Sequence, residues 1–160
     1  MDIKFSLVDI NGNKVSLSDE KFINKVVILQ IMGSWCPNCM DETRLFAELY
    51  NIYNPRGLEI IGLCFETKDT TESIKRIKRF AEQLKANYTF LYAGEVGKKS
   101  VLEILPVLKD IKGYPTTIYL DRKHKIRKVY TGFSGPSTGV HFEKLRNNII
   151  QFIEKLLDEN

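Results

Sequence analysis

The 160-residue sequence predicts an α/β fold with a central mixed β-sheet, helices on both faces and an N-terminal β-hairpin extension. Residues 26–32 and 58–65 are apolar and rich in β-branched side chains, as in strands that are buried on both faces. Helical periodicity follows each of these runs, and such alternation builds a parallel sheet with helices on both faces. Residues 5–9 and 15–17 flank the turn sequence Asn-Gly-Asn-Lys, which indicates the hairpin.

The other elements are predicted from caps, breakers and apolar spacing. Thr70, Thr71 and Glu72 are expected to cap a helix, whereas Pro106 is expected to interrupt one. Apolar residues at helical spacing predict the buried face of the helix after residue 36: Leu45, Phe46, Leu49, Ile52 and Tyr53. The remaining predicted elements are a helical turn at 18–20, a strand at 88–92, a helix at 98–109, an antiparallel hairpin at 116–120 and 126–130, and a final helix at 140–157.

The composition is that of one globular domain, which we place at residues 1–160. The excess of 24 Lys and Arg over 20 Asp and Glu gives a net charge of +4, which does not indicate a nucleic-acid partner. No run approaches the roughly 18 apolar residues of a membrane span. The first residues do not resemble a signal peptide, so either the protein is cytosolic or a targeting segment or anchor has been removed.

The main candidate site is the segment 35–39, Trp-Cys-Pro-Asn-Cys, between a buried strand and a helix. Pro37 suits the first helical position because its missing N–H is not needed there. Cys36 would then lie at the positive end of the helix dipole, beside free N–H groups that stabilise a thiolate. Cysteines in such places have a pKa of roughly 3.5–7.5 instead of about 8.5. Cys36 is therefore predicted to be the exposed nucleophile.

Cys39 follows one helical turn later, where its sulfur can reach that of Cys36. It is expected to be covered by the next turn and to resolve the mixed disulfide that Cys36 forms. A closed zinc site needs four ligands, whereas Cys64 is isolated in a strand and the two histidines lie elsewhere. We therefore expect no metal and no cofactor, and we interpret Cys64 as a small buried residue.

The segment 35–39 and the sequence Gly-Tyr-Pro-Thr-Thr at 113–117 resemble those of thioredoxin-fold proteins. The resemblance implies that Pro115 is in the cis form and lies against the active-site cysteines. It also implies that the residue before this proline, Tyr114, pairs its backbone with bound substrate. The predicted substrate-binding residues are Trp35, Pro37, Tyr114 and Pro115.

Within that fold, the chain is similar to the TlpA/ResA-type branch over nearly its whole length. The N-terminal hairpin, the insertion at residues 70–92 and the segment 131–136 carry this likeness. Branch members are usually exported, membrane-tethered or periplasmic, and mostly reduce particular disulfides. The resemblance thus implies a reductant of protein disulfides in the cell envelope, recycled by a redox partner. We expect the chain to be a monomer.

Glu66 is the third candidate catalytic residue, because the same branch often carries an acidic residue near the cysteines. At the end of the second buried strand, its carboxylate could move protons for Cys39. Gln30 occupies the position of the buried aspartate of thioredoxins, and glutamine cannot ionise. Cys64 is expected to face the same side of the strand as Glu66 if side chains alternate. The basic run at residues 75–79 is interpreted as the solvated face of its helix.

Three other functions are compatible with parts of the sequence. A peroxide reductase of this fold would need threonine three residues before its reactive cysteine, where this chain has Gly33. A copper carrier usually has three residues between its cysteines and an additional histidine. A redox-inactive binding module would not need the intact cysteine pair. The direction of net electron flow and the substrate protein stay open at this stage.

Overall fold

The computed structural model describes residues 2–159, which form one seven-stranded β-sheet with the strand order β2-β1-β5-β4-β3-β6-β7. Strand β4 is central in this order, and β3 lies beside it between β4 and β6. The strands are β1 Ser6–Asp9, β2 Lys14–Ser16, β3 Val26–Met32, β4 Leu58–Glu66, β5 Thr89–Glu95, β6 Thr116–Leu120 and β7 Ile126–Thr131.

The sheet is mixed, as the sequence predicts. Strands β3, β4 and β5 are parallel to one another, and Met32 is paired with Cys64 at the end of β3. On the other side of β3, strands β6 and β7 continue the sheet in antiparallel pairs. The N-terminal hairpin of β1 and β2 joins the far edge through an antiparallel pairing of β1 with β5. The predicted α/β class and hairpin extension are therefore confirmed.

Helices cover both faces of the sheet within residues 2–159. They are α1 Pro37–Tyr53, α2 Thr70–Gln83, α3 Lys98–Ile104 and α4 Val140–Asp158. Side chains from α1, α2 and α4 pack on one face, while α3 and the N-terminal segment pack on the other. The alternation along β3 explains this arrangement, because successive side chains of a strand point to opposite faces. Val26 and Ile28 face the three-helix side, and Val27 and Leu29 face α3.

Several local predictions differ from the structure. Asp69, not Thr70, caps α2, because its side chain accepts a hydrogen bond from the N–H of Glu72. Ile52 is 54% exposed, so it lies outside the buried stripe of α1. Helix α3 ends at Ile104, and a separate 3-10 turn begins at Pro106.

The two edge strands are poor templates for further pairing. Strand β2 has only three residues. Strand β7 carries exposed Arg127 and Lys128. Short or charged edges limit edge-to-edge association of sheets. No helix within residues 2–159 is both long and apolar enough to cross a bilayer.

Candidate active site

The cysteine pair lies at the junction of β3 and α1, as predicted. Cys36 is the N-cap of α1, with extended backbone at φ −98° and ψ 116°. Its Sγ accepts a hydrogen bond from the N–H of Cys39 at 3.3 Å, and Pro37 opens the helix. A sulfur therefore occupies the place of the side-chain oxygen that commonly caps a helix. This arrangement directs free N–H groups toward the Cys36 sulfur.

The two thiols differ strongly in acidity. Hydrogen bonding from the Cys39 thiol lowers the pKa of Cys36 to about 7, although burial opposes this change. The N–H groups of Cys39 and Asn38 contribute to the same lowering. The pKa of Cys39 is raised, first by its hydrogen bond to Cys36 and then by burial. At neutral pH, Cys36 is therefore the thiol that carries the negative charge.

The exposure predicted for Cys36 is wrong in extent. Cys36 is only 5% exposed, against 0% for Cys39. The loop before β6 covers it, since the Cys36 Sγ lies 3.8 Å from the carbonyl oxygen of Tyr114. The order of access is nevertheless as predicted, because Cys36 is the one of the pair that solvent can reach.

The predicted substrate-binding residues surround the opening through which solvent reaches Cys36. The Tyr114–Pro115 peptide bond is cis, so that prediction is confirmed. The ring of Trp35 lies edge-on to that of Tyr114, with 5.2 Å between their centroids. Trp35 is 37% exposed and Pro37 is also exposed, whereas Pro115 is buried. The Tyr114 hydroxyl accepts a hydrogen bond from the N–H of Gly97 at 3.1 Å, which fixes its ring.

Gly33 makes room for the Trp35 ring. The indole N–H donates a hydrogen bond to the carbonyl oxygen of Phe65 at 2.8 Å, across the top of Gly33. A Cβ atom at residue 33 would lie 2.0 Å from the indole nitrogen and 2.7 Å from that carbonyl oxygen. Only glycine is compatible with this placement of the aromatic ring.

Glu66 holds the loop that precedes the cysteines. Its carboxylate accepts hydrogen bonds from the N–H of Ser34, at 2.8 Å, and from the Ser34 hydroxyl. Burial raises the pKa of Glu66, while the bonds from Ser34 and the charge of Arg76 oppose this change. Among residues 2–159, no hydrogen bond joins Glu66 to a cysteine, so its predicted role in proton transfer stays a prediction.

Cys64 lies in the core beneath this region. It is fully buried and belongs to the same apolar cluster as Cys36 and Cys39. Burial raises its pKa, and the charge of Glu66 raises it further. Cys64 is therefore an unreactive thiol in this fold.

A second buried carboxyl group, Glu42, is absent from the sequence-based site. It is 2% exposed, one turn after Cys39 on α1. Its Oε2 accepts a hydrogen bond from the Thr117 hydroxyl at 2.9 Å, whereas Oε1 has no partner among residues 2–159. Burial raises the pKa of Glu42 to about 8, against the lowering effect of the Thr117 and Gln30 side chains, and the charge of Cys36 adds to the rise. In turn, the charge of Glu42 raises the pKa of Cys39.

Glu42 also lines a cavity between α1, β6, β7 and α4. The cavity has a volume of about 140 Å³. Its walls include Thr117, Tyr119, Tyr130 and Asn148. Since a water molecule in the liquid takes about 30 Å³, the cavity has room for a few of them beside the carboxyl group.

Comparison with known proteins identifies the family. The family model described as Redoxin matches residues 2–147. The chain belongs to the redoxin family. A solved thiol:disulfide interchange protein of the thioredoxin family from Chlorobium tepidum shares its fold, with a TM-score of 0.72 and 16% identity over 98% of this chain and 94% of the other. The predicted thioredoxin-like fold is thereby confirmed.

Curated relatives of this redoxin carry the name thiol-disulfide oxidoreductase ResA. The protein from Bacillus thuringiensis is 32% identical over 76% of this chain and 62% of its own length. That from Geobacillus thermodenitrificans is 27% identical over 80% of this chain and 66% of its own length. The predicted TlpA/ResA-type resemblance is confirmed, although the chain spans just under two thirds of these relatives.

One sequence signal could have revealed Glu42 in this redoxin. Residue 42 falls on the stripe formed by Leu45, Phe46 and Leu49, which face the core. An acidic residue within an apolar stripe, three positions after a cysteine, lies on the same helix face as that cysteine. The apolar spacing of α1 alone does not reveal this residue.

Gln30 supports the site without ionising. It is fully buried, and its amide donates to the Thr43 hydroxyl at 3.0 Å and accepts from the Tyr88 hydroxyl at 2.8 Å. Both ends of the side chain are thus satisfied. In the part of the redoxin chain that the structure describes, no three His, Cys, Asp or Glu side chains are grouped as metal ligands.

Proposed function

We propose that this chain is a thiol–disulfide oxidoreductase that reduces protein disulfides through Cys36 and Cys39. One observation carries the proposal: the Cys36 sulfur caps α1 and has a pKa of about 7, next to a Cys39 thiol whose pKa is raised. Cys36 is therefore suited to attack the substrate disulfide, and Cys39 stays protonated until the resolving step. The ResA names of its relatives support the same activity.

The exchange proceeds in two displacements. The Cys36 thiolate attacks one sulfur of the substrate disulfide, which forms a mixed disulfide and releases the other sulfur as a thiolate. Cys39 then loses its proton and attacks the Cys36 sulfur, which releases the second substrate thiolate. Two electrons pass from the dithiol to the substrate, and a Cys36–Cys39 disulfide remains for a redox partner to reduce.

Glu42 is our candidate for the base that accepts the proton of Cys39. A thiol with a raised pKa needs a nearby acceptor before it can attack. The pKa of Glu42, about 8, is close to neutral pH, where general bases act best. The adjacent cavity offers the carboxyl group a route to exchange its proton with water, away from the bound substrate.

The substrate would lie against the opening above Cys36, which the rings of Trp35 and Tyr114 border. Trp35 and Pro37 present exposed surface beside Cys36, and Tyr114 and Pro115 form the opposite side. An extended polypeptide can pair with the backbone of Tyr114 while its disulfide contacts the Cys36 sulfur. Pro37 would hold the turn between Cys36 and Cys39 and make apolar contact with the bound polypeptide.

The acidity of Cys36 favours a reductant. A nucleophilic cysteine with a pKa near 7 is typical of thioredoxin, whereas the strong oxidant of this chemistry has a pKa near 3.5. The resemblance to the TlpA/ResA branch suggests action in the cell envelope, as a monomer of one domain. Measurement of the reduction potential of the Cys36–Cys39 pair against glutathione tests the direction of electron flow.

The geometry argues against the peroxide-reductase alternative. That chemistry would require a threonine in place of Gly33, where a Cβ atom would collide with the Trp35 ring and the carbonyl of Phe65. The copper alternative requires wider spacing of the cysteines and a histidine. Metal titration of the reduced protein, with an excess of chelator as control, tests it directly.

Insulin reduction by cysteine variants tests the proposal. We expect Cys36→Ser to abolish turnover and Cys39→Ser to accumulate a mixed disulfide through Cys36. Cys64→Ser is the matched control, because that thiol is buried and has a raised pKa. Unchanged turnover in Cys39→Ser would contradict the assigned order of attack, and turnover in Cys36→Ser would contradict the proposal itself.

A further inference from the structure

A shallow pocket beside the cysteine turn has no part in the exchange mechanism. We call it the α2 pocket, and its volume is about 150 Å³. The turn before the cysteines and the helices α1 and α2 all contribute to its lining: Ser34, Met40, Arg76, Arg79, Phe80 and Gln83. The pocket thus combines two guanidinium groups with an apolar floor, at the border of the active site.

The two arginines of the pocket form no ion pair in the part of the chain that the structure describes. None of the ion pairs within residues 2–159 includes Arg76 or Arg79. Arg76 is half-buried, and its charge lowers the pKa of Glu66 against the effect of burial. The positive charge therefore acts on the active site. Planar guanidinium groups bind carboxylates through paired hydrogen bonds, which distinguishes them from solvated lysines.

The pocket is within reach of a polypeptide whose disulfide is under attack. Ser34 precedes Cys36 by two residues, a span of at most about 7 Å. On the other wall, the N–H of Met40 is bonded to the carbonyl oxygen of Cys36 at 3.1 Å. At roughly 3.3–3.6 Å per residue, a residue two to four positions from a substrate cysteine at Cys36 is therefore within reach of the α2 pocket.

We propose that the α2 pocket binds an acidic side chain, Asp or Glu, of the substrate polypeptide, two to four residues from the cysteine that Cys36 attacks. This inference rests on the proposed function and specifies its substrate class. Arg76 and Arg79 bind the carboxylate, and Met40 and Phe80 contact the methylene groups that lead to it.

Three disulfide-bonded peptides test this inference. They are identical except for Glu, Gln or Lys at the positions two to four residues from the cysteine. At low salt, we expect the wild-type chain to reduce the Glu peptide with a kcat/KM about tenfold above that of the Lys peptide. In the double variant Arg76→Gln/Arg79→Gln, the preference should fall to about twofold or less.

The matched control is Lys75→Gln/Lys78→Gln. It removes two positive charges from the same helix, and Lys75 and Lys78 are exposed as Arg79 is, but neither lysine lines the pocket. The control should keep the preference for the Glu peptide. An equal loss in both variants would overturn the inference, because net charge and not the pocket would then select the substrate. Equal rates for all three peptides in the wild-type chain would also overturn it.

A binding measurement separates this inference from the proposed function. Peptides with serine in place of cysteine cannot exchange, and their affinity is read from the fluorescence of Trp35, which is the single tryptophan of the chain. Tighter binding of the Glu peptide, lost in Arg76→Gln/Arg79→Gln, supports docking even if no disulfide is reduced. Equal affinities for the three peptides would overturn docking even if exchange is fast.

Discussion

The two buried glutamates near the cysteines, Glu42 and Glu66, differ in the surroundings of their carboxyl oxygens. Ser34 donates two hydrogen bonds to Glu66, whereas Glu42 has one bond from Thr117 and an Oε1 without a partner among residues 2–159. Only Glu42 acts on the pKa of Cys39. Burial alone therefore does not make a carboxyl group a proton carrier. A satisfied carboxylate holds a loop, while an incompletely satisfied one is available to exchange a proton.

The largest expected effect is that of Glu42→Gln on exchange. Glutamine cannot accept the proton of Cys39, so we expect the resolving step to slow by about 100-fold, within the usual range for a general base. Stopped-flow measurement of mixed-disulfide decay checks this prediction. Glu48→Gln is the control, because Glu48 is exposed on the same helix and pairs with Arg146. A normal decay rate in Glu42→Gln would assign the base to another group.

The second expected effect is that of Glu42 ionisation on the free energy of unfolding as the pH changes. Because the pKa of Glu42 is about 8 in the folded chain and about 4.3 when unfolded, the folded state holds this proton more tightly. Its contribution to stability is complete below about pH 4.3 and is lost as pH rises through 8. The slope is at most about 1.4 kcal/mol per pH unit.

Urea unfolding between pH 5 and about pH 8 tests this sign. Relative to wild type, Glu42→Gln should become progressively more stable as the pH rises. Glu66→Gln should show a weaker trend in the same direction, since burial raises the pKa of Glu66 too, against the bonds from Ser34. Parallel curves for all three proteins would show that Glu42 ionises normally in the folded chain.

A smaller effect is expected for Glu66→Gln on exchange. The amide still accepts one hydrogen bond from Ser34, so we expect the domain to stay folded and exchange to slow by about tenfold or less. Rates measured across a pH series check this prediction, with Ser34→Ala as a second way to release the loop. Rates that match wild type at every pH would remove Glu66 from the mechanism.

The smallest expected effect is that of Glu66→Gln on the pKa of Cys36. Its pKa depends mainly on Cys39 and on the N–H groups of α1, so it should stay near 7 in Glu66→Gln. Alkylation by iodoacetamide at different pH values, with the modified residue identified by mass spectrometry, gives this midpoint. A clear displacement in Glu66→Gln would link that carboxylate to the attacking thiol and remove the contrast between the two glutamates.

Most of the fold is predictable because its signals are local. Strand β3 is a run of apolar, mostly β-branched residues, and only the strand conformation fits such a run between a turn and a helix start. The cap of α2 shows the limit of local signals. Residues 69–71 are all suitable N-caps, and the start of the helix selects Asp69 among them.

The site was predicted less completely because its distant contacts have no sequence signature. Cys36 is covered by Tyr114, a residue 78 positions away. The environment of Glu42 depends on Thr117, which is 75 positions away. Cysteine spacing identifies the chemistry, but the degree of burial and the pKa of a carboxyl group depend on which distant strands close over it.

The edges of the sheet determine how another polypeptide can approach. Strand β2 is short and β7 is charged, so neither edge offers the backbone ladder that strand addition requires. Under the proposed function, a client protein would instead contact the loops at the end of β3, over a surface only a few residues wide. Such a contact favours cysteines in extended or locally unfolded segments, so the folding state of the client would regulate when its disulfide is reduced.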